Sequence, residues 1–183
     1  MIRVVAGHIC SGKSTYVREN SKPGDVVIDM DRIALALSHE ASADLSYGDH
    51  IRAVAKSARW AAIETAVQLH RRDAFGNRDA SFNVWIIHAY PTAEDERMYW
   101  MWDATIVRMN AAADVLLSRA KTERPQRDCD ELRRRLDADP SAIQEGVGLV
   151  ARLPPDGKQI GRAHVLNSSH LVISYAVFCL KKK

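Results

Sequence analysis

The sequence predicts an α/β protein: a mostly parallel sheet of four to five strands, with helices on both sides in three layers. Three observations carry that expectation. Four short apolar runs, at 2–6 (IRVVA), 25–29 (DVVID), 83–88 (NVWIIH) and 104–109 (ATIVRM), read as strands covered on both faces. Helical patterns separate them, and strands alternating with helices build parallel sheets through right-handed crossovers. Between the first strand and the first helix lies GHICSGKST, a loop with two glycines and a lysine at a spacing that serves a definite chemistry.

That spacing is G-x-x-x-x-G-K-[ST], filled by Gly7, Gly12, Lys13 and Ser14. It is the pattern of a phosphate-binding loop, and it predicts the P-loop NTPase form of the three-layer α/β/α fold. Backbone N–H groups wrap a dense anion only if the chain turns tightly, which glycine allows. The helix behind the loop aims its positive end at the same anion. Residues 7–15 (Gly7, His8, Ile9, Cys10, Ser11, Gly12, Lys13, Ser14, Thr15) are therefore the candidate ATP-binding loop. Lys13 is expected to bridge the β- and γ-phosphates, and the Ser14 hydroxyl to reach Mg²⁺. Cys10 has two readings: a thiol whose pKa is lowered at a helix N-terminus, or a small residue that fits the turn.

The first helix is expected from Lys13 to about Ser21, where KPGD signals a turn. A long helix follows His50, with Ile51, Val54, Ala58, Ala61, Ala62, Thr65 and Leu69 as its apolar face. The segment 71–82 (RRDAFGNRDASF) reads as an exposed polar loop. Thr92 opens another helix, with Pro91 before it and acids at Glu94–Glu96 in its first turn. AAADVLLSRAKT (111–122) makes a further one. DELRRRLDAD (130–139) is a solvated helix face or, through its three arginines, a polyanion contact. Trp100 and Trp102 either stack on a base or pack a helix end onto the sheet.

In such sheets ligands bind at the carboxyl ends of the strands. The second strand ends there in Asp29 and Asp31. Phosphoryl transfer is mostly positioning and electrostatics, with one carboxylate to orient or deprotonate the attacking hydroxyl. Two residues apart, both side chains share a face if the strand persists. If a helix begins at Asp31, one of them is its N-cap instead.

The succession of a short strand, GxxxxGKST, a helix and IDMDR resembles the kinase domain of bacteriophage 5′-polynucleotide kinase and the related small AAA-type P-loop kinases, over roughly residues 2 to 137. The resemblance implies an enzyme that transfers phosphate from ATP to a hydroxyl, first of all the 5′-hydroxyl of a polynucleotide, with Mg²⁺. It implies Asp31 as general base and puts Asp29 where the family has an Asn; because the chain lacks the acid that the family carries after its third strand, Mg²⁺ is expected to lean on Ser14, phosphates and waters, with Asp29 behind. It implies lid arginines from LLSRAKTERPQR, which offers Arg119, Arg124 and Arg127, so that Lys13, Asp31, Arg119 and Arg124 form the catalytic set. Arginine suits a lid because its planar fork binds phosphate bidentately. A small-molecule acceptor (a nucleoside, sugar or antibiotic) is the alternative within the same class; an ATP-binding module with little transfer is the alternative outside it. The implied place of action is the cytoplasm of a bacterial or phage-infected host cell. The chain departs from the family after the third strand: where the kinase carries a Ser-Asp pair, it reads IIHAYP, with His88 and no acid. His88 either touches an acceptor phosphate or is a strand-end histidine satisfied by its neighbours.

With 183 residues, 46% of them hydrophobic, the chain suffices for one cored domain. It starts on a strand, which predicts no secretory leader. No apolar run reaches the roughly 20 residues of a membrane span. Three separated cysteines suggest neither a disulfide framework nor a zinc site. The last stretch, IGRAHVLNSSHLVISYAVFCLKKK, resembles translated DNA of a common short-read sequencing adapter. The expected organisation is thus a kinase-like domain over 1–159, truncated near Gln159, and a non-native tail over 160–183; the opposing reading is a genuine C-terminal strand in LVISYAVF. The tail holds Arg162, Lys181, Lys182 and Lys183 and no acid, so taking those four from 26 leaves 22 basic residues against 23 acidic. The formal charge becomes −1 in place of +3. The basic balance therefore says nothing about nucleic acid.

Overall fold

Four parallel strands, β1 (Ile2–Ala6), β2 (Val26–Ile28), β3 (Val84–His88) and β4 (Thr105–Asn110), stand in the order β2-β3-β1-β4. The computed structural model describes residues 1–39, 47–75, 82–138 and 146–150. Within them, β5 (Gly146–Val150) adds to β4 in the antiparallel sense, with Asn110 opposite Gly146 and Ile106 opposite Val150. β5 lies outside the four expected runs, because its two glycines dilute the β-branched pattern that marks a strand. The segment 160–183 lies outside the described residues.

Among the described residues six helices join the strands: α1 (Lys13–Asn20), α2 (Met30–Leu37), α3 (Asp49–Phe75), α4 (Ala93–Met101), α5 (Ala113–Glu123) and α6 (Gln126–Ala138). The alternation along each strand sorts the side chains between two layers. Ile2, Val4, Ile28, Val84 and Ile86 meet Ile63, Ala66 and Val67 of α3 and Tyr99 of α4 on one face. Val5, Trp85, Ile87 and Val107 meet Val17 of α1 on the other. Trp102 joins the first cluster, so packing is its role. α5 and α6 close a third cluster of Leu116, Ala120, Cys129, Leu132 and Leu136, against which Ile9 and Cys10 of the glycine-lysine loop rest. Among the described residues no helix is long and apolar enough to cross a membrane.

Two expectations need correction. α3 buries Ala55, Arg59, Ile63, Ala66, Val67 and His70, whereas Val54 and Leu69 are exposed. The helix is turned away from the phase that hydrophobicity suggests, because two polar residues on its inner face find partners there. The Arg59 guanidinium donates to the Ile87 carbonyl at 3.2 Å, and the His70 ring meets the Phe82 carbonyl at 3.0 Å. The supposed loop 71–82 begins as helix, since α3 continues to Phe75. Arg71 helps to hold this end by donating to the Met101 carbonyl at 2.8 Å. The Thr92 helix start is as expected: its side chain accepts from the Asp95 N–H, and Asp95 returns the bond to the Thr92 N–H, a capping box.

Gly7 fixes how closely the chain leaving β1 approaches the backbone of β4. Its φ is +147°, and a Cβ there would overlap the Met109 carbonyl oxygen. Gly7→Ala is therefore expected to cost on the order of 2–4 kcal/mol, since backbone must shift on both sides. A urea titration of both proteins checks this; equal midpoints would mean that the close approach is not needed.

Candidate functional site

The carboxyl ends of β1 and β3 lie side by side, with Ala6 opposite His88. From β1 the chain leaves through α1 on one face; from β3 it leaves through α4 on the other. Ligand clefts open at such a switch. Here a cleft of about 730 Å³ is walled by the glycine-lysine loop and α1, by Asp29, Met30 and Asp31, by Arg52, by Ala89 and Tyr90, and by Arg119, Arg124 and Asp128.

The loop itself is built on left-handed turns. Gly12, at φ +89°, is the N-cap of α1 and offers no side chain to its first-turn N–H groups. Cys10 adopts φ +60°, which costs a non-glycine residue about 1–2 kcal/mol. Arg119 donates to its carbonyl at 3.2 Å, and the Arg124 guanidinium lies beside its sulfur. Burial pushes the Cys10 thiol above its ordinary range. Of the two readings, the residue that fits the turn is the one the geometry supports.

Lys13 is only 8% exposed, and its Nζ donates to the His8 carbonyl at 2.5 Å. Burial first, and then the neighbouring Arg124 charge, push it down to about 8. Ser14 faces solvent, and its hydroxyl donates to Asp29 Oδ2 at 3.4 Å. Asp29, buried, accepts from the Asp31 N–H at 3.1 Å and caps α2. Burial, then Asp31, raise the Asp29 carboxyl above its usual range. The two candidate magnesium residues thus lie together at the floor of the cleft, and the capping role belongs to Asp29. Asp31 stands in the first turn of α2 with its carboxylate free of the cap. It accepts from Arg124 Nη1 at 2.6 Å.

Arg127 points elsewhere, pairing at 2.6 Å with Asp49 on the surface. The arginines of α6 make pairs along their own helix, such as Arg134–Glu131 at 2.7 Å, as a solvated face does. His88 is held by Tyr99, whose hydroxyl meets its Nδ1 at 2.8 Å. Burial, then the Arg59 charge, push the ring down to about 4. The unfolded chain then takes up this proton at a higher pH than the fold does. Stability is expected to fall as pH drops from about 6.5 towards 4, and pH-jump unfolding of the parent beside Tyr99→Phe measures it.

Motif reading did not find Arg52 or Tyr47. The Tyr47 hydroxyl donates to the Asp31 carbonyl at 3.1 Å, and Arg52 reaches Asp128 across the cleft at 3.5 Å. No pattern marks either residue: Arg52 comes to the cleft through the packing of α2 on α3, where Tyr47 is buried with Ala34 and Ala55 behind Asp31. Among the described residues no group of three or more His, Cys, Asp or Glu gathers to hold a metal. Ser14 and Asp29 suit Mg²⁺, which takes few protein oxygens and completes its shell with phosphates and water. No protein-family model matches the chain, and neither a curated protein nor a solved structure matches it.

Proposed function

We propose that this is a P-loop kinase that transfers phosphate from ATP to a hydroxyl acceptor, in the first instance the 5′-hydroxyl of a polynucleotide. The observation that carries the reading is convergence: Lys13 and Ser14, Asp29 and Asp31, and Arg124 come from three separate segments and line one cleft. The triphosphate rests on residues 7–15, where Lys13 and the α1 N-terminus meet its charge. Ser14, with Asp29 behind it, would hold Mg²⁺, which would supply positive charge against the phosphates. Asp31 accepts the proton of the acceptor hydroxyl as its oxygen bonds to the γ-phosphorus and ADP departs. Arg124 and Arg119 cover the transferring group, so that the acceptor is favoured over water.

A second reading, an ATP-binding module with little transfer, is favoured by one observation. β3 ends in His88, tied to Tyr99, where a metal-directed acid stands in the kinases the chain resembles. Transfer from radiolabelled ATP to an oligonucleotide with a free 5′-hydroxyl, beside the same oligonucleotide already 5′-phosphorylated, separates the readings. Label on the free end alone is expected. Label on neither, with ATP bound, transfers the case to a small-molecule acceptor or to the binding module, which a screen of nucleosides, sugars and aminoglycosides then divides.

A further inference from the structure

Two ion pairs span the cleft from the α5–α6 corner to the opposite wall, Arg124–Asp31 at 2.6 Å and Arg52–Asp128 at 3.5 Å, and a third, Arg127–Asp49 at 2.6 Å, lies on the surface outside it. They are unequal. Arg127 and Asp49 are mostly exposed, and such pairs contribute little. Arg124 is 18% exposed, and its neighbours are the Asp31 carboxylate, the Cys10 sulfur and, within reach of its charge, Lys13. One guanidinium therefore faces both the candidate base and the phosphate loop.

It cannot serve both fully. An Asp31 oxygen that accepts from Arg124 directs a lone pair at that partner, not at an incoming hydroxyl. A phosphate chain on the loop carries more charge than one carboxylate and suits the same planar fork. We propose that Arg124 is a phosphate-operated lock on Asp31: the guanidinium occupies the carboxylate until the phosphates of a bound nucleotide draw it away, so that the acceptor meets a free base only after ATP is in place. The lock rests on the kinase reading above and adds to it an order of events. The acceptor is engaged second, after the nucleotide.

The lock has a measurable cost. Nucleotide must break the Arg124–Asp31 pair, so its affinity is reduced by the share of molecules in which Arg124 is engaged. Asp31→Asn weakens that hold, and is expected to bind the magnesium complex of β,γ-imido-ATP about three- to tenfold more tightly than the parent. Simple repulsion between Asp31 and phosphate would also give a gain, but the same gain whatever occupies position 124. Calorimetric titrations of the parent, Asp31→Asn, Arg124→Gln and the double variant distinguish the two. With the lock, Asp31→Asn changes affinity less than about twofold in the Arg124→Gln background. Equal gains in both backgrounds, or no gain in either, overturn it. Thermal melts establish that each variant folds. Should Arg124→Gln fail to fold, Arg124→Lys replaces it, and the gain there is expected to fall short of that in the parent. If the parent itself does not bind the analogue, the nucleotide reading fails and the lock with it; binding without the background dependence removes the lock alone.

Discussion

Lys13→Ala is expected to lower nucleotide use by about 10²–10³, the scale of losing one charged donor to a phosphate or oxyanion in a site that excludes water. The fold is expected to survive, for a reason the motif alone does not supply. Lys13 is not an exposed side chain waiting for ligand; it is buried against the loop carbonyl of His8. Burial holds its folded pKa at about 8, below its ordinary value of 10.5. The unfolded chain therefore binds more protons between those two values, and stability rises as pH climbs from about 8 to about 10.5. Below that window the buried charge is a continuing cost, which alanine removes. The variant should melt at or above the parent temperature at pH 7, and the alkaline rise should disappear. Nucleotide affinity of the parent should also decline above pH 8, as the lysine loses its proton and with it the attraction for phosphate. A variant that uses ATP as well as the parent would end the phosphate-loop reading.

The buried strands were legible because both faces are covered, which makes each one a continuous apolar run. β1, β3 and β4 begin and end within a residue of their expected bounds. β2 is shorter, since Asp29 leaves the strand to cap α2. The glycine-lysine loop was legible because each glycine has a geometric duty: Gly7 lets β4 approach, and Gly12 turns left-handed into α1. The inner face of α3 was not. Arg59 and His70 look like surface residues until the carbonyls that receive them are in place. Nor could the sequence choose between two aspartates two residues apart. Both fit a cap or a base by type, and only the end of β2 at Ile28 assigns the cap to Asp29. The closeness of Arg124 to Asp31 is a tertiary fact: the two are 93 residues apart and meet because the α5–α6 hairpin packs against the loop.

Asp31→Asn should separate binding from turnover more sharply than any other substitution in the cleft. General-base help is worth about 10²–10⁴ in rate, and an amide cannot take a proton from a hydroxyl, so transfer to the acceptor should fall by that factor. Little stability should be lost. The cap of α2 is Asp29, whose bond is to the backbone N–H of residue 31, and that group remains. The partner left behind, Arg124, is partly exposed and lies beside Cys10, so water can replace the carboxylate. Nucleotide binding should be kept or strengthened, because Arg124 is no longer held away from the phosphates. A purely structural Asp31 predicts the reverse pattern: near-normal turnover and a lower melting temperature. Asp29→Asn is the control. Asparagine caps a helix as well as aspartate does, so its fold should hold, and its effect should fall on the Mg²⁺ requirement through the contact with Ser14. Single-turnover transfer, measured across magnesium concentrations for both variants, decides the matter. Loss of the chemical step at saturating Mg²⁺ in Asp31→Asn, with recovery at high Mg²⁺ in Asp29→Asn, is the expected result. Equal recovery in both would move Asp31 from the base to the metal.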